Sequence, residues 1–198
     1  MVLAAARPET RWLAVDLLPE MVDETARRVA AAGLGDRVRA VVGDMSSPPV
    51  DPDTQDLIWC EGAIYNVGIT EALTSWRRLL RRGGTVVFSE PVWLVDSPPP
   101  EIVEWWQTEY PEISGRAGVV ARVEAAGYRV IASSVLPASA WWDEYYGPME
   151  GRLAELRTRV PDDPIAADVA SAAEREIEMF RRFADTYSYE FFVVQPVG

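Results

Sequence analysis

The chain has 198 residues, 48% of them hydrophobic and 25% charged, enough for one sizeable core and consistent with a single globular domain. Nineteen arginines against thirty-one acidic residues give a formal net charge of −12, which disfavours nucleic acid and anionic lipid as partners. Lysine and histidine are both missing, which excludes Schiff-base lysines, Walker-type phosphate lysines, Ser-His or Cys-His relays and His-ligated metals.

Acid and base work at neutral pH therefore falls to Asp, Glu, Tyr or the single thiol, and no metal site is expected. The lone cysteine, Cys60, excludes an intrachain disulfide and makes a cytoplasmic chain the default. Val2 to Ala6 is apolar but short, lacks a basic flank and meets Arg7-Pro8, so it does not read as a secretory signal. No apolar run approaches the roughly 20 residues that span a bilayer.

In chain order, Trp12 to Val15 is an apolar run ending on Asp16. Pro19 suits the first turn of a helix whose buried stripe is Val22, Ala26 and Val29, with Gly33 as a left-handed stop. Arg37 to Val42 reads as a strand running into Gly43-Asp44, and the prolines at 48, 49 and 52 make the next stretch a loop. Asp56 to Cys60 is a strand running into Glu61-Gly62. Ala72, Leu73, Trp76, Leu79 and Leu80 share one face of a helix flanked by Arg77, Arg78, Arg81 and Arg82, and Gly83-Gly84 is its expected end. Thr85 to Ser89 is a third interior strand, ending at Glu90.

The pattern then changes. Pro98 to Pro100 opens a short helix carrying Trp105 and Trp106, and Ala117 to Ala126 is a helix closed by Gly127. Tyr128 to Leu136 reads as a strand, Trp141 to Arg159 and Pro164 to Thr186 as two helices, and Tyr189 to Val194 as a last strand. Strands alternating with helices predict βαβ units and an α/β, Rossmann-like, doubly wound and mostly parallel sheet. In such sheets ligands sit beyond the carboxyl ends of the strands, which is where Asp16, Asp44, Glu61 and Glu90 fall.

At Asp16, Gly43-Asp44-Met45, Glu61 to Gly68 and Leu80 to Gly84, the chain resembles a class I S-adenosylmethionine-dependent methyltransferase of the bacterial small-molecule group related to quinone-biosynthesis methyltransferases. Ser89-Glu90 followed by Trp93, Tyr110 to Ile113, and Tyr187 to Val194 extend the likeness over nearly the whole chain. The resemblance implies one methyltransferase-like domain over residues 1–198, with a cofactor-side half (1–94) and acceptor-side helices and final strands (95–198). It implies S-adenosylmethionine as cofactor, with Asp16 on the ribose hydroxyls and Leu17 beside the adenine. Asp44 and Met45 face the adenine amino group, and Glu61, Gly62 and Ala63 lie beneath the methionine part.

Glu61, Tyr65 and Glu90 are the candidate catalytic residues. Tyr65, Asn66, Trp93, Trp141, Trp142 and Tyr145 are the candidate substrate contacts, forming an aromatic roof over a small-molecule acceptor. Each has a plain alternative: a capping Asp16, a turn at Gly43-Asp44, solvated carboxylates at Glu61 and Glu90, and aromatic pairs that are only core.

The family's first strand and Gly-rich loop match nothing before Gly33, and residues 1 to 10 resemble the tail of the helix that follows that loop. The family sheet order, 3-2-1-4-5-7-6, puts the missing strand at its centre. The chain thus reads as N-terminally truncated. A start codon placed too late is one account; another is a short form in which strands two and four pair directly or a homodimer fills the exposed edges. Two rival functions stay open, a catalytically inactive binding module and an NAD-dependent oxidoreductase in which Asp16 serves a nicotinamide ribose.

Overall fold

The computed structural model describes residues 2–160 and 162–198. Strand β1 (Trp12–Asp16) pairs in parallel with β2 (Val38–Val42), and helix α2 (Pro19–Ala31) makes the crossover. The helix begins where its sequence predicts, with Pro19 in the first turn, and it ends before Gly33 at φ 67°. Arg37, at the start of β2, donates to the backbone oxygens of Ala4, Arg7 and Thr10. One guanidinium thus ties the short helix α1 (Val2–Ala6), where Ala4 is buried, to this sheet.

The larger sheet has the order β3-β4-β7-β6. Its members are β3 (Gln55–Cys60), β4 (Leu80–Trp93), β6 (Tyr128–Val135) and β7 (Tyr187–Pro196), with the two-residue β5 (Ser114–Gly115) on the far end of β4. β3 and β4 are parallel, whereas β7 runs antiparallel to both β4 and β6. Val86, Val87 and Phe88 are all buried, as a strand covered on both faces requires. Phe88 lies directly across from Phe192, their rings stacked at 5.4 Å.

The predicted helix through Leu80 is shorter in the structure. Helix α3 (Ile69–Trp76) gives way to a single tight turn at Arg77–Leu79, and Leu80 already pairs with Gln55. Leu79 and Leu80 keep the apolar periodicity because both are buried, so pattern alone could not separate helix end from strand start. Arg77 fixes the turn by donating to the carbonyls of Gly127 (2.8 Å) and Val197 (2.7 Å), and Gly83, at φ 82°, belongs to a bulge in the strand.

Helices α4 (Pro100–Glu109) and α5 (Arg116–Ala125) follow β4, and α6 (Ala138–Trp141), α7 (Gly147–Arg159) and α8 (Pro164–Phe183) form the C-terminal cover. Between α6 and α7 the chain widens into one π turn, Trp142–Tyr146, so the stretch predicted as one helix is helical but not uniform. Two apolar cores result. One lies under α3 and α5 against the sheet and includes Trp76, Phe88, Val123 and Phe192. The other, including Ile102, Tyr146, Ile177, Phe180 and Tyr187, fills the space among α4, α7, α8 and the start of β7. No helix among the described residues is long and apolar enough to cross a membrane.

Among the described residues β1 pairs only with β2, and β3 only with β4. Strands two and four of the expected order therefore do not close on each other. The segment after β2 is tied to the larger sheet's cover instead by a hydrogen bond from Trp76 Nε1 to the Met45 carbonyl (2.7 Å) and by Met45 and Val50 packed against the first core.

Stability should be uneven between the sheets. Phe88→Ala, fully buried in the larger sheet, should cost about 3–5 kcal/mol. Leu13→Ala in β1, where the side chain is 36% exposed, should cost about 1 kcal/mol or less. Urea unfolding of the two variants beside the parent chain checks the contrast.

Candidate active site

The carboxyl ends of the strands gather acidic residues, as the apolar runs predict. Asp16 ends β1 on the surface, and its Oδ1 accepts the Leu18 amide at 2.9 Å, which orients the carboxylate. Asp44 follows β2 in the same way, accepting the Ser46 amide at 2.7 Å. Hydrogen bonds from the Ser46 side chain and backbone hold the Asp44 carboxyl below its usual range. After β3, Glu61 is exposed and Gly62 turns with φ 61°. The Gly62 amide donates to Ser89 Oγ at 2.8 Å, locking this turn to the neighbouring strand end.

Beside that turn lies a cavity of about 720 Å³ whose walls run from Glu61, Gly62 and Tyr65 to Trp105, Trp141 and Tyr189. Tyr110 also lines it, and its hydroxyl donates to Glu90 Oε1 at 2.7 Å. Glu90 is fully buried, and Arg122 Nη2 stands 3.9 Å from the same oxygen. Burial pushes the Glu90 carboxyl up to about 7, against the opposing effects of the Tyr110 hydroxyl and the Arg122 charge. Burial and the Glu90 hydrogen bond push the Tyr110 phenol up as well. Cys60, buried and near the Glu90 charge, is raised to about 12 and stays a thiol.

Comparison with known proteins bears on this arrangement. Residues 1–84 match the family model described as Methyltransferase domain. A methyltransferase from Geobacter sulfurreducens, solved with S-adenosyl-L-homocysteine, superposes with a TM-score of 0.79 at 21% identity, over 99% of this chain and 89% of that one. The chain has the class I methyltransferase fold. YjhP from E. coli gives a TM-score of 0.82 at 20% identity, over 100% of this chain and 81% of that one. An uncharacterized 37.1 kDa protein of transposon TN4556 from Streptomyces fradiae is 28% identical over 122 residues. That match spans 60% of this chain and about a third (34%) of the transposon protein.

Within the methyltransferase fold, Asp16, Leu17, Asp44 and Met45 follow the first two strands, with Leu17 67% exposed and Met45 packed against the first core. Glu61, Gly62, Tyr65, Trp141 and Tyr145 line the cavity, as Ser89 does. Ala63 packs against the first core and its carbonyl accepts the Asn66 side-chain amide, and Asn66 is exposed outside the cavity lining. Trp93 and Trp142 pack in the second core, and Glu90 reaches the cavity only through Tyr110.

Sequence reading missed Glu109, Tyr110, Glu176, Tyr187 and Tyr189 as cavity residues. Tyr110 lay within a segment already singled out, but Glu176 sits on a helix whose pattern reads only as amphipathic. The cavity gathers residues as far apart in the chain as Tyr110 and Glu176, which leaves no local signal.

The raised Glu90 carboxyl makes a pH prediction. Between its ordinary value of 4.5 and about 7, the folded chain keeps a proton that the unfolded chain has released, so this group's contribution to stability falls as pH rises through that window. Relative to Glu90→Gln, the parent chain should lose on the order of 3 kcal/mol across the window, at about 1.4 kcal/mol per pH unit. Denaturant unfolding of both chains at a series of pH values measures the difference; a constant difference would contradict the assignment.

Proposed function

We propose that this chain transfers a methyl group from S-adenosylmethionine to a small-molecule acceptor held in the aromatic cavity. The observation that carries the reading is the shared wall at Gly62: the turn that the resemblance puts beneath the methionine part also lines the cavity. The residues present fit the adenosine part of the cofactor. Asp16 and Asp44 offer exposed, oriented carboxylates at successive strand ends, for the ribose hydroxyls and the adenine amino group with Leu17 and Met45 beside them. At Gly62 a Cβ would meet no heavy atom within 4 Å, so the chain leaves open space there.

When bound, the sulfonium cofactor supplies an electrophilic methyl group: the acceptor's lone pair forms the new bond to carbon, and the electron pair of the broken carbon–sulfur bond stays on sulfur. The chain's own part is alignment, exclusion of water and proton handling. Tyr110 faces the cavity, and Tyr65 lies against it with ring centroids 5.7 Å apart, so both can orient an acceptor hydroxyl or amine. As Tyr110 receives the acceptor's proton, Glu90 receives the phenol's, so that the buried carboxyl ends protonated. A carboxyl poised at about 7 suits that transfer at neutral pH. Glu90 is therefore a positioning and proton-holding residue behind Tyr110.

The split sheet favours a second reading, a non-catalytic binding module, because the cofactor-side strands lack a common ladder with the acceptor-side sheet. Transfer of labelled methyl groups to a panel of phenolic and amine acceptors separates the two; no transfer to any would leave the module. A cytoplasmic setting, a small-molecule rather than nucleic-acid partner, and a homodimer joined through the unpaired edges of β1 and β3 are parts of the same proposal.

Two substitutions test the residue roles. Asp16→Ala should weaken S-adenosylhomocysteine at least about tenfold by calorimetric titration, since hydrogen bonds to a charged group are each worth about 1.5–3 kcal/mol. Tyr110→Phe should lower kcat by about tenfold or more with little change in KM for a hydroxyl or amine acceptor. Equal titration curves, or an unchanged kcat, would return these residues to structural roles.

A further inference from the structure

The far end of the cavity has a chemistry that methyl transfer by itself does not require. The walls of the whole cavity carry four carboxylates, Glu61 beside Gly62 and then Glu109, Glu144 and Glu176, and no arginine among the described residues. Glu176 is half-buried, accepts the Tyr146 hydroxyl at 3.3 Å, and is pushed up mainly by burial, with the Glu109 charge adding to the effect. A half-buried carboxylate beside a second negative charge marks a place where a positive charge is favoured.

The rings around them have the complementary form. Trp106 stands nearly perpendicular to Trp105 (5.0 Å, 83°) and to Tyr187 (5.1 Å, 79°), and Tyr145 lines the same space. Aromatic faces attract cations. Tyr187 is 2% exposed, lines the cavity, and has a hydroxyl with no hydrogen-bond partner; the buried indole nitrogen of Trp106 is likewise unpartnered. An occupant would satisfy groups that the chain leaves unpaired.

None of the three arginines on α8 lines the cavity, and Arg175 is exposed. Arg181 pairs with Glu150 and Glu178, and Arg182 with Glu101, all on exposed surface. An anionic acceptor would meet uncompensated negative charge throughout the cavity.

We propose that the cavity selects a cationic acceptor, an ammonium-bearing small molecule whose charged group sits among Glu109, Glu176, Trp105, Trp106 and Tyr187. This rests on the methyltransferase reading for the word acceptor, but the binding preference stands on the cavity alone.

The test is titration of the full chain, followed by tryptophan fluorescence and calorimetry, with choline and with dimethylbutanol, in which a carbon replaces the quaternary nitrogen. Choline's nitrogen has no lone pair, so binding at the charged group is read free of methylation there. Choline should bind at least tenfold more tightly than its neutral isostere. Glu176→Gln and Glu109→Gln should each reduce that preference, and the double variant should abolish it, with S-adenosylhomocysteine affinity unchanged. Glu109 is exposed, so its variant carries the test should Glu176→Gln unfold. Equal or tighter binding of the isostere, binding of neither compound, or a preference that survives the substitutions would overturn the proposal. Failure of methyl transfer to every acceptor with the choline preference intact would instead count against the enzymatic reading alone.

Discussion

Two glutamates face each other across the centre of the larger sheet, Glu90 on β4 and Glu190 on β7, and both are almost wholly buried. Such a pair would be prohibitive in an apolar interior without cations nearby. Helix α5 brings them: Arg116 meets Glu190 at 3.0 Å, and Arg122 approaches Glu90. Arg122 also donates to the Glu112 carbonyl and to Ser114 Oγ, which holds the segment between α4 and α5 close to the strand end. That segment carries Tyr110. The placement of the Tyr110 phenol on the cavity wall is thus tied to the partners that two buried carboxyls require.

The aromatic residues serve a packing role and a lining role at once, because a ring has two faces. Trp141 stacks on Tyr146 and on Tyr189, contacts Phe180, and donates its indole N–H to Ser188 Oγ at 3.0 Å. Its remaining surface borders the cavity. Ser188 passes its own hydrogen bond to the Leu136 carbonyl, so the roof is anchored to the backbone after β6 as well as to β7. A roof built from core residues keeps its shape without a ligand, which is what selection by charge and shape requires.

The small sheet is organised differently. Each acidic residue there is oriented by its own turn, within two residues of chain, and remains exposed. Local hydrogen bonding of this kind sets direction but adds little burial. The aromatic cavity depends on contacts between distant segments, and the turn at Gly62 on its wall is held by its bond to Ser89.

The elements of the fold were legible in the chain because their signals are local. Alternating strands and helices, the prolines that open helices, and a carboxylate after each early strand need only a few residues to express, and Asp16, Asp44 and Glu61 stand at those strand ends. The break at Leu80 was not legible, since a buried leucine satisfies helix and strand patterns equally and pairing with Gln55 decides between them. Trp93, Trp142 and Trp141 were equivalent as letters, but packing set all three against the second core and brought only Trp141 to the cavity wall as well. Sequence by itself determined the fold class, the exclusion of lysine and histidine chemistry, and the acidic strand ends. The tertiary structure alone decided that buried Glu90 is bonded to Tyr110 and that Glu176 joins Glu109 and the aromatic walls, because burial, mutual charge and ring orientation arise only when distant segments meet.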